Sequence, residues 1–127
     1  MTTPSQSTVL VVEDDDISRC ILTEMLDSLG VRQVHTANNG KEALRLLKKS
    51  ATAPDYIVLD LFMPEMDGIE FIGHLRPLGF KGAIILMSAA AGDVFDVART
   101  LATASGLDVR ATLLKPVDPE ALAQALG

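Results

Sequence analysis

Three short runs of strand-forming residues, apolar at nearly every position, limit the folds open to this chain more than any other feature. They are Thr8 to Val12, Tyr56 to Leu59 and Ala83 to Met87. A strand that is apolar at consecutive positions has both of its faces covered, which is the environment of a parallel sheet flanked by helices. The sequence therefore predicts a parallel sheet buried between two layers of helices.

The segments between these runs have the spacing of amphipathic helices. The first helix is expected to bury one apolar face, made of Ile17, Ile21, Leu22, Met25, Leu26 and Leu29, and to end at Gly30. The second is expected to start from an Asn39 cap and to bury Ala43, Leu44, Leu46 and Leu47. Three further helices are predicted, over about Gly68 to Arg76, over about Asp93 to Ser105, and from Asp118-Pro119-Glu120 onward.

Two weaker strands complete a β-α pattern repeated five times. Val31 to Ala37 is expected at an edge of the sheet, and Val109 to Leu114 precedes Lys115-Pro116. The chain of 127 residues is one domain in length. We expect a three-layer α/β/α sandwich over residues 8–127, preceded by a disordered segment over residues 1–7.

Charge and composition exclude several classes of function. The 11 Lys and Arg against 17 Asp and Glu give a net charge of −6, which argues against direct nucleic-acid binding. Cys20 is the single cysteine, so no internal disulfide forms, and it is expected to be buried in the first helix. The longest apolar run, from Ala83, is too short for a membrane span. We expect a cytoplasmic protein without a membrane partner.

Charged and hydroxyl side chains follow four of the five predicted strands. They are Glu13 to Asp16, Asp60, Ser88 and Lys115. Ligands of open α/β sheets bind beyond the carboxyl ends of the strands, so these side chains are expected to share one rim. Each alone is an ordinary turn or helix-start residue. Together, carboxylates from neighbouring strands would repel unless a cation lay between them, and hard oxygen ligands suit Mg²⁺.

A phosphoryl group is the ligand that such a rim is suited to bind. Asp60 is a candidate nucleophile that would form an aspartyl phosphate. Lys115 offers a mobile positive charge to a phosphoryl oxygen, and Ser88 offers a hydroxyl donor.

Four blocks of the chain resemble those of two-component response regulator receiver domains. The blocks are Val11-Val12-Glu13-Asp14-Asp15, Asp60-Leu61-Phe62-Met63-Pro64-Glu65-Met66-Asp67-Gly68, Met87-Ser88-Ala89 and Lys115-Pro116. The resemblance spans Thr8 to Leu126 and implies a flavodoxin-like sheet with strand order 2-1-3-4-5. It also implies that the Lys115-Pro116 bond is often cis.

The resemblance implies a role for each matching residue. Asp60 corresponds to the phosphoacceptor, Ser88 to the switch hydroxyl and Lys115 to the lysine of the family. Mg²⁺ is the implied cofactor, with Asp14 and Asp60 as direct ligands, Glu13 acting through water, and the backbone carbonyl of Phe62 completing the set. Asp15 and Asp16 match no ligand and are interpreted as loop and cap residues.

The implied function is acceptance of a phosphoryl group from a sensor histidine kinase or a histidine phosphotransfer protein, followed by a conformational switch. Family members often dimerise through the fourth helix and fifth strand, so a homodimer is a further expectation. Receivers commonly carry Tyr or Phe three residues before the lysine, where this chain has Thr112. The aromatic form of the switch is therefore not expected here.

Two other functions stay open from the sequence. A pseudo-receiver would keep the fold as an interaction module without phosphorylation, although none of the key acidic or basic residues is lost. An aspartate-nucleophile phosphatase would need a second acid two residues after the nucleophile, where this chain has Phe62. The stretch from Ala98 to Pro116 also resembles receivers that precede cyclic-dinucleotide phosphodiesterases, so the output of the domain is not assigned.

Overall fold

A computed structural model describes residues 7–49, 53–63, 66–89 and 92–127. Strands and helices alternate along these residues as β1 Thr8–Val12, α1 Asp16–Ser28, β2 Gln33–Ala37, α2 Gly40–Lys49, β3 Tyr56–Asp60, α3 Gly68–Leu75, β4 Ala83–Ser88, α4 Asp93–Ala104, β5 Asp108–Leu114 and α5 Pro119–Ala125. The strands pair in parallel in the order β2-β1-β3-β4-β5. The predicted α/β sandwich with strand order 2-1-3-4-5 is confirmed.

The sheet divides the apolar core into two halves. In β1, Leu10 and Val12 face the cluster that includes residues of α2, α3 and α4. Val9 and Val11 face the other cluster, which includes residues of α1 and α5. Every residue of β3 and β4 is buried, as their unbroken apolar runs predict.

Side-chain caps fix where helices begin. The Asn39 carboxamide oxygen accepts from the Glu42 N–H at 2.8 Å, and the Asp118 carboxylate accepts from the Ala121 N–H at 3.3 Å. Both caps were predicted. Asp15 caps α1 in the same way, which places the acidic residues that follow β1 at a helix N-terminus.

The end of α1 explains why β2 starts later than predicted. Gly30 adopts a positive φ of 90°, and the N–H of Val31 still donates to the Leu26 carbonyl at 3.0 Å. This closes the helix as a C-terminal capping turn. The strand consequently starts at Gln33 rather than at Val31.

The predicted apolar face of α1 is wrong at two positions. Leu22 and Leu26 are buried, but Ile17 is 71% exposed and Ile21 is 47% exposed. Cys20, which was also expected to be buried, is exposed.

Two polar residues lie on the partly buried side of α1. Arg19 and Thr23 are partly buried, and each side chain donates to a backbone carbonyl, Arg19 to that of Glu13 and Thr23 to that of Arg19. At about 100° per residue, Ile17 lies about 140° around the helix from Leu22. The prediction that Leu46 is buried in α2 is also wrong, since Leu46 is 37% exposed and lies about 160° around the helix from the buried Leu44.

Residues 1–6 of the segment expected to be disordered lie outside the described residues, and Ser7 is buried. Within the described ranges, every helix falls short of the length and apolar character that crossing a bilayer requires.

Candidate functional site

The carboxyl ends of the strands are tied together by backbone hydrogen bonds that continue past the sheet. The N–H of Glu13 donates to the Ala37 carbonyl at 3.1 Å, which joins the end of β1 to that of β2. The N–H of Leu61 donates to Met87 at 3.0 Å, and that of Lys115 donates to Ser88 at 2.9 Å. The residues that follow four strands are thereby brought to one rim.

Lys115 bridges two carboxylates at this rim. Its Nζ lies 2.6 Å from Glu13 Oε2 and 2.8 Å from Asp60 Oδ2. The side chains of Glu13 and Asp60 are 1% and 5% exposed, and that of Lys115 is 21% exposed. Buried carboxylates of like charge are tolerated here because an ammonium group lies between them.

Burial and ion pairing shift the pKa values of the groups in this cluster in opposite directions. Burial raises the pKa of the Glu13 carboxyl above its ordinary value, and the hydrogen bond from Lys115 partly offsets that rise. Burial disfavours the charged form of Lys115, but its hydrogen bonds to Asp60 and Glu13 outweigh this and raise the pKa of the ammonium group. Lys115 therefore stays charged at neutral pH.

The second oxygen of each buried carboxylate is also hydrogen-bonded. Glu13 Oε1 accepts from the N–H of Asp15, and Asp60 Oδ1 accepts from the N–H of Phe62, both at 3.1 Å. With both oxygens engaged, each carboxylate is fixed in orientation.

The donor set fits a divalent cation. Glu13, Asp14 and Asp60 each offer a carboxylate oxygen, and these atoms lie within 4.8 Å of one another. Three carboxylates against the single ammonium of Lys115 leave an excess of negative charge, and hard oxygen donors are what Mg²⁺ prefers. Asp14 is exposed, whereas the other two carboxylates are buried, so a cation would reach the cluster from the Asp14 side.

The remaining residues singled out in the sequence lie in or directly after β3, β4 and β5. Ser88 ends β4 and is buried, and Thr112 is partly buried on β5 opposite Leu86. The side chain of Phe62 is 53% exposed, and the Lys115-Pro116 bond is cis, as the resemblance implied.

Gly68 brings the start of α3 against the loop that carries Asp60. Its N–H donates to the Leu61 carbonyl at 3.0 Å. A Cβ at this position would lie 2.7 Å from Leu61 Cα and 2.8 Å from the Asp60 carbonyl oxygen. The glycine in the Asp60 block is therefore a packing requirement of the site.

Arg19 is the residue of this region that sequence reasoning missed. Its Nη1 donates to the Glu13 carbonyl at 3.0 Å, and its Nη2 forms an ion pair with Asp16. The available signal was a basic residue one helical turn after the acidic residues of the loop. Apolar periodicity does not detect it, because arginine is not counted among the residues of a buried helix face.

Comparison with known proteins identifies the family. A family model described as response regulator receiver domain matches residues 9–127. An uncharacterized 14.6 kDa protein of Leptolyngbya boryana is 41% identical over 119 residues, which cover 94% of this chain and 86% of that protein.

Two further relatives belong to histidine kinases. The sensor histidine kinase RcsC of Salmonella typhi is 37% identical over 94% of this chain, which spans only 12% of the kinase. The crystal structure of the receiver domain of the histidine kinase CKI1 from Arabidopsis thaliana, complexed with Mg²⁺ and BeF₃⁻, matches with a TM-score of 0.73 and 30% identity, covering 94% of this chain and 89% of that one.

Proposed function

Because this chain belongs to the response regulator receiver domain family, we propose that it accepts a phosphoryl group on the carboxylate of Asp60. The observation that carries the proposal is the meeting of Glu13, Asp14, Asp60 and Lys115, from the ends of three separate strands, in one cluster. In this proposal the receiver domain comprises residues 8–127.

The proposed donor is a phosphohistidine of a sensor histidine kinase or a histidine phosphotransfer protein. An oxygen of Asp60 attacks the phosphorus, the P–N bond breaks, and its electron pair remains on the imidazole nitrogen. Lys115, already 2.8 Å from Asp60 Oδ2, offers its charge to a phosphoryl oxygen. The domain is regulatory, and the reaction changes the domain itself.

Glu13, Asp14, Asp60 and the backbone carbonyl of Phe62 are the groups that would hold Mg²⁺. The support is the acidic cluster of this chain and the Mg²⁺ in the related receiver of CKI1. When bound, the metal supplies positive charge that offsets the charge developing on the phosphoryl oxygens.

The proposed switch starts from the added charge. The phosphoryl group carries about −2 charges and replaces the single negative charge of the Asp60 carboxylate, which changes the balance of the ion pairs with Lys115 at the rim. In this proposal Ser88, at the end of β4, is the hydroxyl that donates to the new group. With Thr112 in place of an aromatic residue, loop and helix displacement carries the response.

Exposed apolar side chains support a protein donor that docks beside the cluster. Ile17 and Ile21 form an exposed edge of α1. Ile21 also lines a cavity of about 90 Å³ together with Lys115 and Pro116. An apolar surface next to the reacting groups suits a partner that must deliver phosphohistidine to Asp60.

A homodimer through α4 and β5 is a further part of the proposal. Val97 and Leu114 are 53% and 51% exposed on these elements. Sedimentation of the protein with and without BeF₃⁻ and Mg²⁺ tests it, and a monomer under both conditions removes the dimer from the proposal.

Labelling by a small phosphodonor tests the acceptor role. The protein is incubated with acetyl phosphate and Mg²⁺, and its intact mass is measured. Wild type and the Asp67→Asn control, which removes a carboxylate that caps α3, are expected to gain one phosphoryl group, whereas Asp60→Asn gains none.

Three outcomes count against the proposal. Labelling of Asp60→Asn rejects Asp60 as the acceptor. A wild type that is never labelled and does not respond to Mg²⁺ favours a passive interaction module. Steady hydrolysis of small phosphate esters favours a phosphatase, which the Phe62 position argues against.

A further inference from the structure

We propose that Arg19 is a positioning residue for the acidic pair. Its guanidinium fixes the peptide between Glu13 and Asp14 and so directs the Asp14 carboxylate toward Asp60. This inference rests on the proposed Mg²⁺-dependent function. It means that Arg19, which is not itself a metal ligand, contributes to the affinity for Mg²⁺.

The hydrogen bonds of Glu13 show how the peptide is held. Its N–H is held by the Ala37 carbonyl at the end of β2, at 3.1 Å. Its carbonyl, which belongs to the peptide that joins Glu13 to Asp14, accepts from Arg19 Nη1 at 3.0 Å. Rotation of that peptide plane would swing the Cα–Cβ bond of Asp14. The sheet therefore fixes one side of Glu13, and Arg19 fixes the side that leads to Asp14.

The chemistry of arginine suits this role. Its planar fork donates to two acceptors at once, here the Glu13 carbonyl and the Asp16 carboxylate. The Arg19 side chain is 18% exposed, whereas that of Asp16 is 87% exposed. The N–H of Arg19 donates to the Asp15 carbonyl at 2.9 Å, so its own backbone is anchored in the first turn of α1. Of these two bonds from the guanidinium, the one to the Glu13 carbonyl is the one shielded from solvent.

Electrostatics and positioning predict opposite effects of removing this side chain. Arg19 carries a positive charge beside the loop that holds Glu13 and Asp14, and a positive charge repels a divalent cation, so Coulomb's law alone predicts tighter Mg²⁺ binding without Arg19. A positioning role predicts weaker binding, because the ligands lose their alignment. Loss of a partner that orients metal ligands typically costs about 10- to 100-fold in affinity.

The test measures Mg²⁺ affinity by calorimetry and thermal unfolding in parallel for Arg19→Met and Arg19→Lys. Arg19→Met is expected to weaken Mg²⁺ binding about 10-fold or more. Arg19→Lys keeps the charge and one donor, so its Mg²⁺ affinity is expected to lie between those of Arg19→Met and wild type. The control is Arg99→Met, at an exposed arginine of α4, which should bind Mg²⁺ as wild type does.

Affinity in Arg19→Met that equals or exceeds that of wild type overturns the inference. If Arg19→Met does not fold, Arg19→Lys is decisive, and wild-type affinity in that variant overturns the inference equally. Absence of Mg²⁺ binding by wild type itself rejects the proposed function instead, so the two failures are distinguishable.

Discussion

At the scale of single residues, the site depends on how completely two buried carboxylates are hydrogen-bonded. Glu13 and Asp60 share the ammonium group of Lys115, and each has its other oxygen bound by a backbone N–H. Removing one partner of a buried ion pair leaves an uncompensated charge, which is far more destabilising than loss of an exposed pair. Lys115 thus links the ends of β1 and β3.

The raised pKa of Glu13 predicts a pH dependence of stability in the absence of Mg²⁺. Burial raises this pKa above the ordinary value of 4.5, so the folded protein binds the proton more tightly than the unfolded chain. The stability from this group is therefore full below pH 4.5 and is lost as pH rises through the folded pKa. The free energy of unfolding of wild type, minus that of Glu13→Gln, is expected to fall across this window by at most about 1.4 kcal/mol per pH unit.

Urea unfolding at a series of pH values, with EDTA present, checks this expectation. Glu13→Gln serves as the reference because its side chain does not titrate. A difference that increases with pH over the same window would show that the pKa of Glu13 is lowered, contrary to the account.

At the scale of helices and strands, the sequence predicts most of what places the site. Unbroken apolar runs identify β1, β3 and β4 because full burial leaves no polar positions. Asn39 and Asp118 identify helix starts because capping is a local interaction. Ile17 and Ile21 were misplaced because periodicity finds the residues that share a helix face, but not how far around the helix burial extends. That limit depends on packing outside the helix, such as the hydrogen bond from Arg19 to the Glu13 carbonyl, which apolar periodicity does not encode.

Gly68 and Gly73, both in α3, give a matched pair of substitutions. Gly68→Ala is expected to lower the free energy of unfolding by about 1–3 kcal/mol, because its Cβ would lie 2.7 Å from Leu61 Cα. Gly73→Ala meets no atom within 4 Å and is expected to raise it by about 0.5–1 kcal/mol. Chemical denaturation of both variants measures the difference. Equal effects at the two positions would contradict the close approach of α3 to the Asp60 loop.

At the scale of the whole molecule, a parallel sheet makes the site from distant parts of the chain. Residues 13, 60 and 115 are adjacent only because the ends of β1, β3 and β5 open onto one rim. The positions of these residues directly after predicted strands predicted that they share one rim, because ligands of open α/β sheets bind beyond the carboxyl ends of the strands. The hydrogen bonds that hold them in place, including those of Arg19 and Gly68, depend on packing between elements.

Because the cluster exists only in the folded chain, Mg²⁺ is expected to stabilise the protein. The gain is about 2.7 kcal/mol at a concentration 100 times the dissociation constant. Asp14→Asn should lose most of this gain. Asp27→Asn, which removes an exposed acid of α1 outside the cluster, should keep it. Thermal unfolding with and without Mg²⁺ compares them, and equal stabilisation of the two variants would remove Asp14 from the metal site.

The central claim is that Asp60 becomes phosphorylated, and mapping the modified residue tests it most directly. Wild-type protein is labelled with acetyl phosphate in Mg²⁺ and reduced with borohydride, which converts an acyl phosphate to an alcohol, and its peptides are analysed by mass spectrometry. The account predicts homoserine at position 60 and an unmodified aspartate at position 14. Modification at any other residue, with position 60 intact, would contradict it.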